Sequence, residues 1–110
     1  MSGDTAVEPT EDRRRLRAMP RPDRPEALLE LVRAEIRTAL MMSEDEELPT
    51  DQSMFELGLS SLLAVEVLTR LEQRLGCAVG TTALFSHPTV ERFSDFLGST
   101  VMPDLFGARP

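Results

Sequence analysis

The sequence predicts an all-α protein, a small four-helix bundle made of three main helices and one short helix. Three segments repeat apolar residues at the three- and four-residue spacing of an amphipathic helix. No segment alternates apolar and polar residues well enough to predict a strand. The chain has 110 residues, enough for one domain, and 41% of them are hydrophobic. Because helices of this length cannot bury their apolar stripes alone, we expect them to pack together over residues 25–97.

The first helix is predicted to begin at Pro25 and to run for about 15 residues. Asp23 is a candidate N-cap, and proline suits the first turn of a helix. Apolar residues recur every four positions after it. This stripe consists of Leu28, Val32, Ile36 and Leu40.

A long acidic connection follows, over residues 41–57. A loop of this length in a compact domain is usually functional or held by anchors, and we expect Phe55 and Leu57 to be the anchors. The charge of the stretch indicates either a solvated loop or a surface for a basic partner. Between residues 40 and 66 the chain has seven acids and no base, namely Glu44, Asp45, Glu46, Glu47, Asp51, Glu56 and Glu66.

The second helix is predicted from the serine pair at residues 60–61 to Leu75. Gly58 permits a turn before it, and both serines are favourable N-cap residues. Gly76 is expected to end the helix as a C′ residue. The stripe that should face the core consists of Ala64, Val67, Leu68, Leu71 and Leu75.

The rest of the chain predicts one helical turn and one last helix. The turn covers residues 82–86 and is ended by Pro88, because a residue before proline avoids the α region. Thr89 is the expected N-cap of the last helix, and Gly98 its expected end. Residues 1–24 and 98–110, which contain prolines and few large apolar side chains, are predicted to be a flexible arm and a flexible tail.

Composition excludes several classes of function. The net charge of −7 disfavours nucleic acid and anionic membranes as partners. One cysteine, Cys77, and one histidine, His87, can form neither an internal disulfide nor a zinc site. The polar N-terminus shows no secretory signal, so we expect a cytoplasmic protein.

Ser61 is the candidate functional residue. A serine at a helix start is most often only a cap, but Leu62 and Val65 lie off the core stripe beside it, as expected of a docking surface. Ser61, Val65 and Thr69 share one row of the helix, and Glu66 lies next to it. The sequence places no base beside Ser61, and Gly-Leu-Ser-Ser-Leu is not the Gly-x-Ser-x-Gly elbow of hydrolases. Modification of this serine by another enzyme is therefore favoured over catalysis by it.

Three stretches resemble the acyl carrier protein family. Residues 55–68, Phe-Glu-Leu-Gly-Leu-Ser-Ser-Leu-Leu-Ala-Val-Glu-Val-Leu, resemble its phosphopantetheine attachment region, whose pattern is Leu-Gly-x-Asp-Ser-Leu followed by a helix. Residues 82–93, which include Phe-Ser-His-Pro-Thr, resemble its short third helix and the start of its fourth. Residues 26–36 are similar to the first helix of carrier domains from modular polyketide synthases.

The resemblance implies a monomeric, non-catalytic carrier of polyketide biosynthesis. A phosphopantetheinyl transferase would attach the 4′-phosphopantetheine of coenzyme A to Ser61, and the thiol of this arm would hold acyl groups as thioesters. Ketosynthase, acyltransferase and other synthase enzymes would dock through basic patches. The residues that the resemblance assigns to the partner face are Leu59, Ser60, Leu62, Val65, Glu66 and Thr69.

Two positions depart from the family pattern. Ser60 stands where the family usually has aspartate, which makes Ser60 a second, lesser candidate for attachment, and Gly80 stands where proline is common. Three alternatives stay open: a peptidyl carrier of a nonribosomal system, a helical interaction module that has lost the arm, and a small hydrolase that uses Ser61.

Overall fold

The computed structural model describes residues 10–107, which fold as a helical bundle. Within this range the chain forms no strand, only an isolated bridge between Ser53 and Thr89. The predicted all-α fold is therefore confirmed. The helices are α1 (Glu11–Ala18), α2 (Arg24–Ala39), α3 (Ser61–Leu75), α4 (Ala83–Ser86), α5 (Val90–Phe96) and α6 (Pro103–Phe106).

The predicted apolar stripes form the core. On α2, Leu28, Val32 and Ile36 are buried, and on α3 all five predicted stripe residues are buried. Gly76 ends α3 in the left-handed conformation with φ 68°, which a residue without Cβ adopts at little cost. The single turn of α4 and the Thr89 cap of α5, whose hydroxyl accepts a hydrogen bond from the Arg92 amide, also match the predictions.

Helices α2 and α3 run antiparallel. Ala39, near the end of α2, lies with Leu63, near the start of α3, whereas Glu35 bonds Arg74 close to the end of α3, at 3.1 Å. Fifteen residues of α3 span about 21 Å. The bundle thus has a Ser61 end, where α3 begins, and an opposite end, where α3 stops and α2 starts.

The acidic connection is held by more anchors than the predicted pair. Phe55 and Leu57 are half-buried and pack against the core, and Leu48, Met54 and Leu59 are buried. The connection is also bonded to the start of α5. The Met54 amide donates to the Pro88 carbonyl at 2.8 Å, and the Glu91 amide donates to the Thr50 carbonyl at 3.0 Å.

The flexible-arm prediction differs from the structure over residues 10–24. This segment contains α1 and packs on the bundle, with Leu16 and two arginines buried. The Arg13 side chain is 3% exposed and bonds the Leu75 carbonyl and the Asp104 carboxylate. Arg24 bonds the Met19, Leu105 and Arg17 carbonyls. A charge-rich segment packs here because each guanidinium finds several acceptors.

The flexible-tail prediction differs in the same way over residues 98–107. Gly98 does not end the last helix, because α5 continues into a π-helical turn, Leu97–Val101. Met102 and Leu105 are buried. The parts of the predicted arm and tail at residues 1–9 and 108–110 lie outside the described residues.

Candidate functional site

Ser60 and Ser61 have different roles at the start of α3. Ser60 is the N-cap, with extended backbone (φ −93°, ψ 169°), and its hydroxyl accepts a hydrogen bond from the Leu63 amide at 3.1 Å. Ser61 is the first helical residue and is exposed. Its hydroxyl forms no hydrogen bond with any residue of the range 10–107. The cap is thus supplied by one serine, which leaves the other hydroxyl available.

The start of α3 suits a phosphate ester. The first amides of a helix lack partners within the helix, and Ser60 satisfies only that of Leu63. The amides of Ser61 and Leu62 remain at the positive end of the helix dipole, where an anion is favoured. A 4′-phosphopantetheine joined to Ser61 would place its phosphodiester there. The residues present therefore fit the group that the sequence predicts.

Gly58 sets the register of the serine pair. Its φ of 119° lies in a region that side chains rarely adopt, and the Gly58 amide donates to the Phe55 carbonyl in the turn. The Leu59 amide then donates to the Met54 carbonyl at 3.0 Å. This turn fixes the chain direction just before the cap.

The residues predicted to form the partner face are exposed, except for one. Leu62 is 71% exposed and Val65 46% exposed, and Ser60, Glu66 and Thr69 are exposed beside them. Leu59 is 3% exposed and belongs to the core, so the structure removes it from this face. Its side chain packs inward because it anchors the acidic connection. The Thr69 hydroxyl donates to the Val65 carbonyl at 3.0 Å, so that hydroxyl is already occupied as a donor.

Two more exposed apolar residues were missed by the sequence analysis. Met41 is 91% exposed and has a φ of 59°, and Phe85 on α4 is about half exposed. The ring of Phe85 stacks on Phe55, with centroids 5.1 Å apart. Met41 is the C′ residue of α2, a position that commonly takes the left-handed conformation. Its place directly after the predicted first helix was the available signal.

The acidic side chains between Glu44 and Glu66 face solvent. All seven predicted acids from Glu44 to Glu66 are exposed, and none of them forms an ion pair within the described range. Their field is therefore directed at solvent and at any approaching partner.

No arrangement for nucleophilic catalysis surrounds Ser61 in the described part of the chain. The ring of His87 stacks on Phe96, with centroids 4.4 Å apart, and forms no hydrogen bond with Ser61. Residues 10–107 contain no group of three histidine, cysteine or acidic side chains suited to a metal ion. They also contain no helix long and apolar enough to cross a membrane.

Cys77 lies at the opposite end, two residues after α3. Burial raises the pKa of its thiol, and the nearby Arg13 guanidinium, 3.8 Å from the sulfur, only partly offsets this effect. The thiol is therefore protonated and weakly nucleophilic at neutral pH.

Comparison with known proteins gives one consistent result. Residues 30–97 match the family model described as "Phosphopantetheine attachment site". The spectinabilin polyketide synthase system protein NorA′ of Streptomyces orinoci is 37% identical over 92 residues, 84% of this chain, and erythronolide synthase EryA3 of Saccharopolyspora erythraea is 38% identical over 71 residues, 64% of it. The chain spans 2% of the length of each of these relatives.

The fold comparison agrees with the sequence comparison. The solved structure of the "A1-type ACP domain from module 5 of MLSA1" superposes with a TM-score of 0.68 at 26% identity. The match covers 76% of this chain and 84% of that one.

Proposed function

This chain belongs to the phosphopantetheine attachment site family, and we propose that it is an acyl carrier of a polyketide synthase whose 4′-phosphopantetheine is joined to Ser61. The observation that supports this assignment is that the two serines have different roles. Ser60 uses its hydroxyl as the N-cap of α3, and Ser61, one residue later, presents an exposed hydroxyl that bonds no residue of the range 10–107.

Attachment requires a separate enzyme, because none of the residues 10–107 places a base beside Ser61. In the proposed transfer, the Ser61 oxygen bonds to the phosphorus that links pantetheine to the nucleotide of coenzyme A. The bond from that phosphorus to the nucleotide phosphate breaks, the nucleotide leaves, and the hydroxyl proton passes to the phosphopantetheinyl transferase. When bound, the arm supplies a thiol that holds acyl groups as thioesters.

The exposed face of α3 is the proposed docking surface for the transferase and for synthase enzymes such as ketosynthase and acyltransferase. Leu62 and Val65 provide apolar contact area next to the attachment point, and Glu66 provides charge. The exposed carboxylates of the acidic connection attract basic patches over a distance and speed encounter. Because a carrier must leave each partner quickly, this mixture favours rapid, weak association.

Intact-mass measurement of the full chain tests the attachment site. The chain is incubated with coenzyme A, magnesium and a broad-specificity phosphopantetheinyl transferase. A gain of one phosphopantetheine is expected for the wild type and for Ser60→Ala, and no gain for Ser61→Ala. Ser60→Ala is the matched control, because it removes a neighbouring hydroxyl of the same type.

Other outcomes would assign the chain differently. Loss of the gain in Ser60→Ala with normal loading of Ser61→Ala would move the arm to Ser60. No gain in the wild type with several transferases would indicate an interaction module without the arm. Ser60→Asp, which restores the residue usual in the family, would then show whether the missing carboxylate is the cause. Labelling of Ser61 by a fluorophosphonate would indicate a hydrolase.

A further inference from the structure

A cavity of about 430 Å³ lies between α2, α5 and α6, away from the predicted partner face. It includes the first turns of α2, which belong to the opposite end of the bundle from Ser61. Its volume is within the range of pockets that take a ligand or a large side chain. Its apolar walls are formed by Pro25, Leu28, Leu29 and Phe106.

The wall of this cavity depends on a close contact between the π-helical turn and α6. A Cβ added to Gly98 would lie 3.2 Å from the ring of Phe106. Glycine at this position therefore lets the Phe106 ring pack directly against the backbone and line the pocket. Residues 98–107, which were predicted to be a flexible tail, thus form part of the cavity wall.

Ser94 is an unpartnered polar group in this cavity. The residue is 7% exposed and lines the pocket. Its hydroxyl forms no hydrogen bond with any described residue, although Thr38, Thr69 and Ser99 each donate to the carbonyl four residues earlier. The Ser94 hydroxyl is therefore available to a group that enters the pocket.

The rim of the cavity is acidic. Glu26 and Glu91 are exposed there, and the lining residues within 10–107 include no basic side chain, although the Arg21 guanidinium lies next to Gly107 on the α6 side. The Glu91 carboxylate accepts a hydrogen bond from the Thr50 hydroxyl at 2.9 Å, a neutral donor. Glu26 and Glu91 can therefore each meet a cation of a partner.

We propose that this cavity is a second docking site, which binds a basic segment of a partner protein by accepting one of its large apolar side chains. The apolar walls bury that side chain, the Ser94 hydroxyl bonds the backbone of the inserted segment, and Glu26 and Glu91 face arginines or lysines that flank it. A partner held here leaves the Ser61 face open, so the carrier can be positioned while its arm is used. This proposal does not depend on which serine carries the arm.

Titration of the ¹⁵N-labelled full chain with a short peptide tests the site by NMR. The peptide has capped ends and one phenylalanine flanked on each side by two arginines, and its counterpart has glutamates in place of the arginines. Shift changes are expected to centre on Leu29, Ser94, Gly98 and Ser99 for the arginine peptide only. Glu26→Gln with Glu91→Gln is expected to weaken binding about fivefold, since each exposed charge pair contributes modestly.

Matched variants distinguish binding in the cavity from binding caused by the negative charge of the whole protein. Glu44→Gln with Glu47→Gln removes the same number of exposed charges from the acidic connection and is expected to change affinity less than twofold. Ser94→Leu fills the cavity and is expected to weaken binding more than tenfold. The glutamine variants keep the test valid if Ser94→Leu fails to fold, because both glutamates are exposed.

Three results would overturn the proposal. Shift changes centred on residues 44–66 would assign the peptide to the acidic connection. Equal binding of the glutamate peptide, or no shift at the pocket residues at millimolar peptide, would exclude a basic partner. Self-association that depends on protein concentration and is abolished by the Glu26 and Glu91 substitutions would assign the cavity to a second copy of this chain.

Discussion

The Ser61 end of the bundle leaves its charges exposed, whereas the opposite end buries two of its arginines. The six carboxylates of the acidic connection and that of Glu66 on α3 have no ion pair within residues 10–107. At the opposite end, the Arg13 guanidinium joins α1 to the end of α3 and to α6, and the Asp104 carboxylate accepts from it at 2.6 Å. Arg24 joins the start of α2 to α1 and α6 through backbone carbonyls.

The difference shows that similar residue types serve opposite purposes at the two ends. An exposed carboxylate loses little by staying unpaired in water, and its field remains available to a partner. A buried guanidinium must be paired, so it fixes the segments that pair with it. The Ser61 end exposes carboxylates that can attract a partner, and the opposite end holds residues 10–24 and 98–107 on the bundle.

Removal of the buried Arg13 guanidinium should have the largest effect on stability. Arg13→Ala leaves the Leu75 carbonyl and the Asp104 carboxylate without their donor. We expect it to lower the free energy of unfolding by about 2–3 kcal/mol, less than a fully buried pair because Asp104 is half exposed. Urea denaturation measures the change, and Arg15→Ala, at a 63% exposed side chain, should cost less than about 0.5 kcal/mol.

The same variant also separates the two ends functionally. Arg13→Ala should still gain one phosphopantetheine, because the start of α3 is about 21 Å from its end. Equal stability of Arg13→Ala and Arg15→Ala would show that the opposite end is not held by its buried arginine.

The N-caps at the two ends provide a comparison of intermediate size. Ser60→Ala removes one hydrogen bond, to the Leu63 amide, and should cost about 1 kcal/mol. The Thr10 hydroxyl both accepts from the Arg13 amide and donates to the Arg74 carbonyl at 2.6 Å. Thr10→Ala should therefore cost more, about 1.5–2 kcal/mol. Urea denaturation of both variants tests the order, and the reverse order would contradict the assignment of Thr10 to the packed unit.

The spacing of apolar residues predicted the central helices, because burial in the core determines both that spacing and the face on which each helix packs. The stripes of α2 and α3 are the core, and their limits follow from Pro25 and Gly76. The sequence predicted that either serine could cap α3, and the resemblance assigned the arm to Ser61. Which of Ser60 and Ser61 makes the cap bond was visible only in the structure.

The packed segments at the opposite end could not be predicted by the same rules. Composition treats arginine as a solvent-exposed residue, but Arg13 and Arg24 are buried because carbonyls and a carboxylate surround them. Those acceptors come from residues up to 91 positions away in the chain. Local patterns contain no information about such pairs. The resemblance assigned Leu59 to the partner face together with its neighbours in the motif. Those neighbours are exposed, but the Leu59 side chain packs into the core.

Met41 at the Ser61 end offers a stabilising substitution. Its φ of 59° is unfavourable for a residue with a side chain, and that side chain is 91% exposed, so little packing would be lost. Met41→Gly should raise the free energy of unfolding by about 0.5–1 kcal/mol. Met42→Gly is the control, because Met42 packs against the core and its removal should be destabilising. Urea denaturation of both variants checks the signs, and a loss of stability in Met41→Gly would show that its side chain does contribute to packing.

The smallest expected effect is the pH dependence that Asp104 gives to the opposite end. Burial alone would raise the pKa of this carboxylate, but the hydrogen bond and charge of Arg13, with help from Arg17, outweigh burial and hold the pKa below 3.8. A lowered pKa in the folded state stabilises the protein above the pKa of the unfolded chain, and this stabilisation is lost as the pH falls through the folded pKa. Wild type should therefore be more stable than Asp104→Asn near pH 6, and the difference should shrink below about pH 4. Urea denaturation across this range measures it, with Glu44→Gln as the control at the Ser61 end, where no ion pair within the described residues is removed. A difference between wild type and Asp104→Asn that stays constant down to the lowest pH would mean that the Arg13 contact holds α6 through its hydrogen-bond geometry and not through charge.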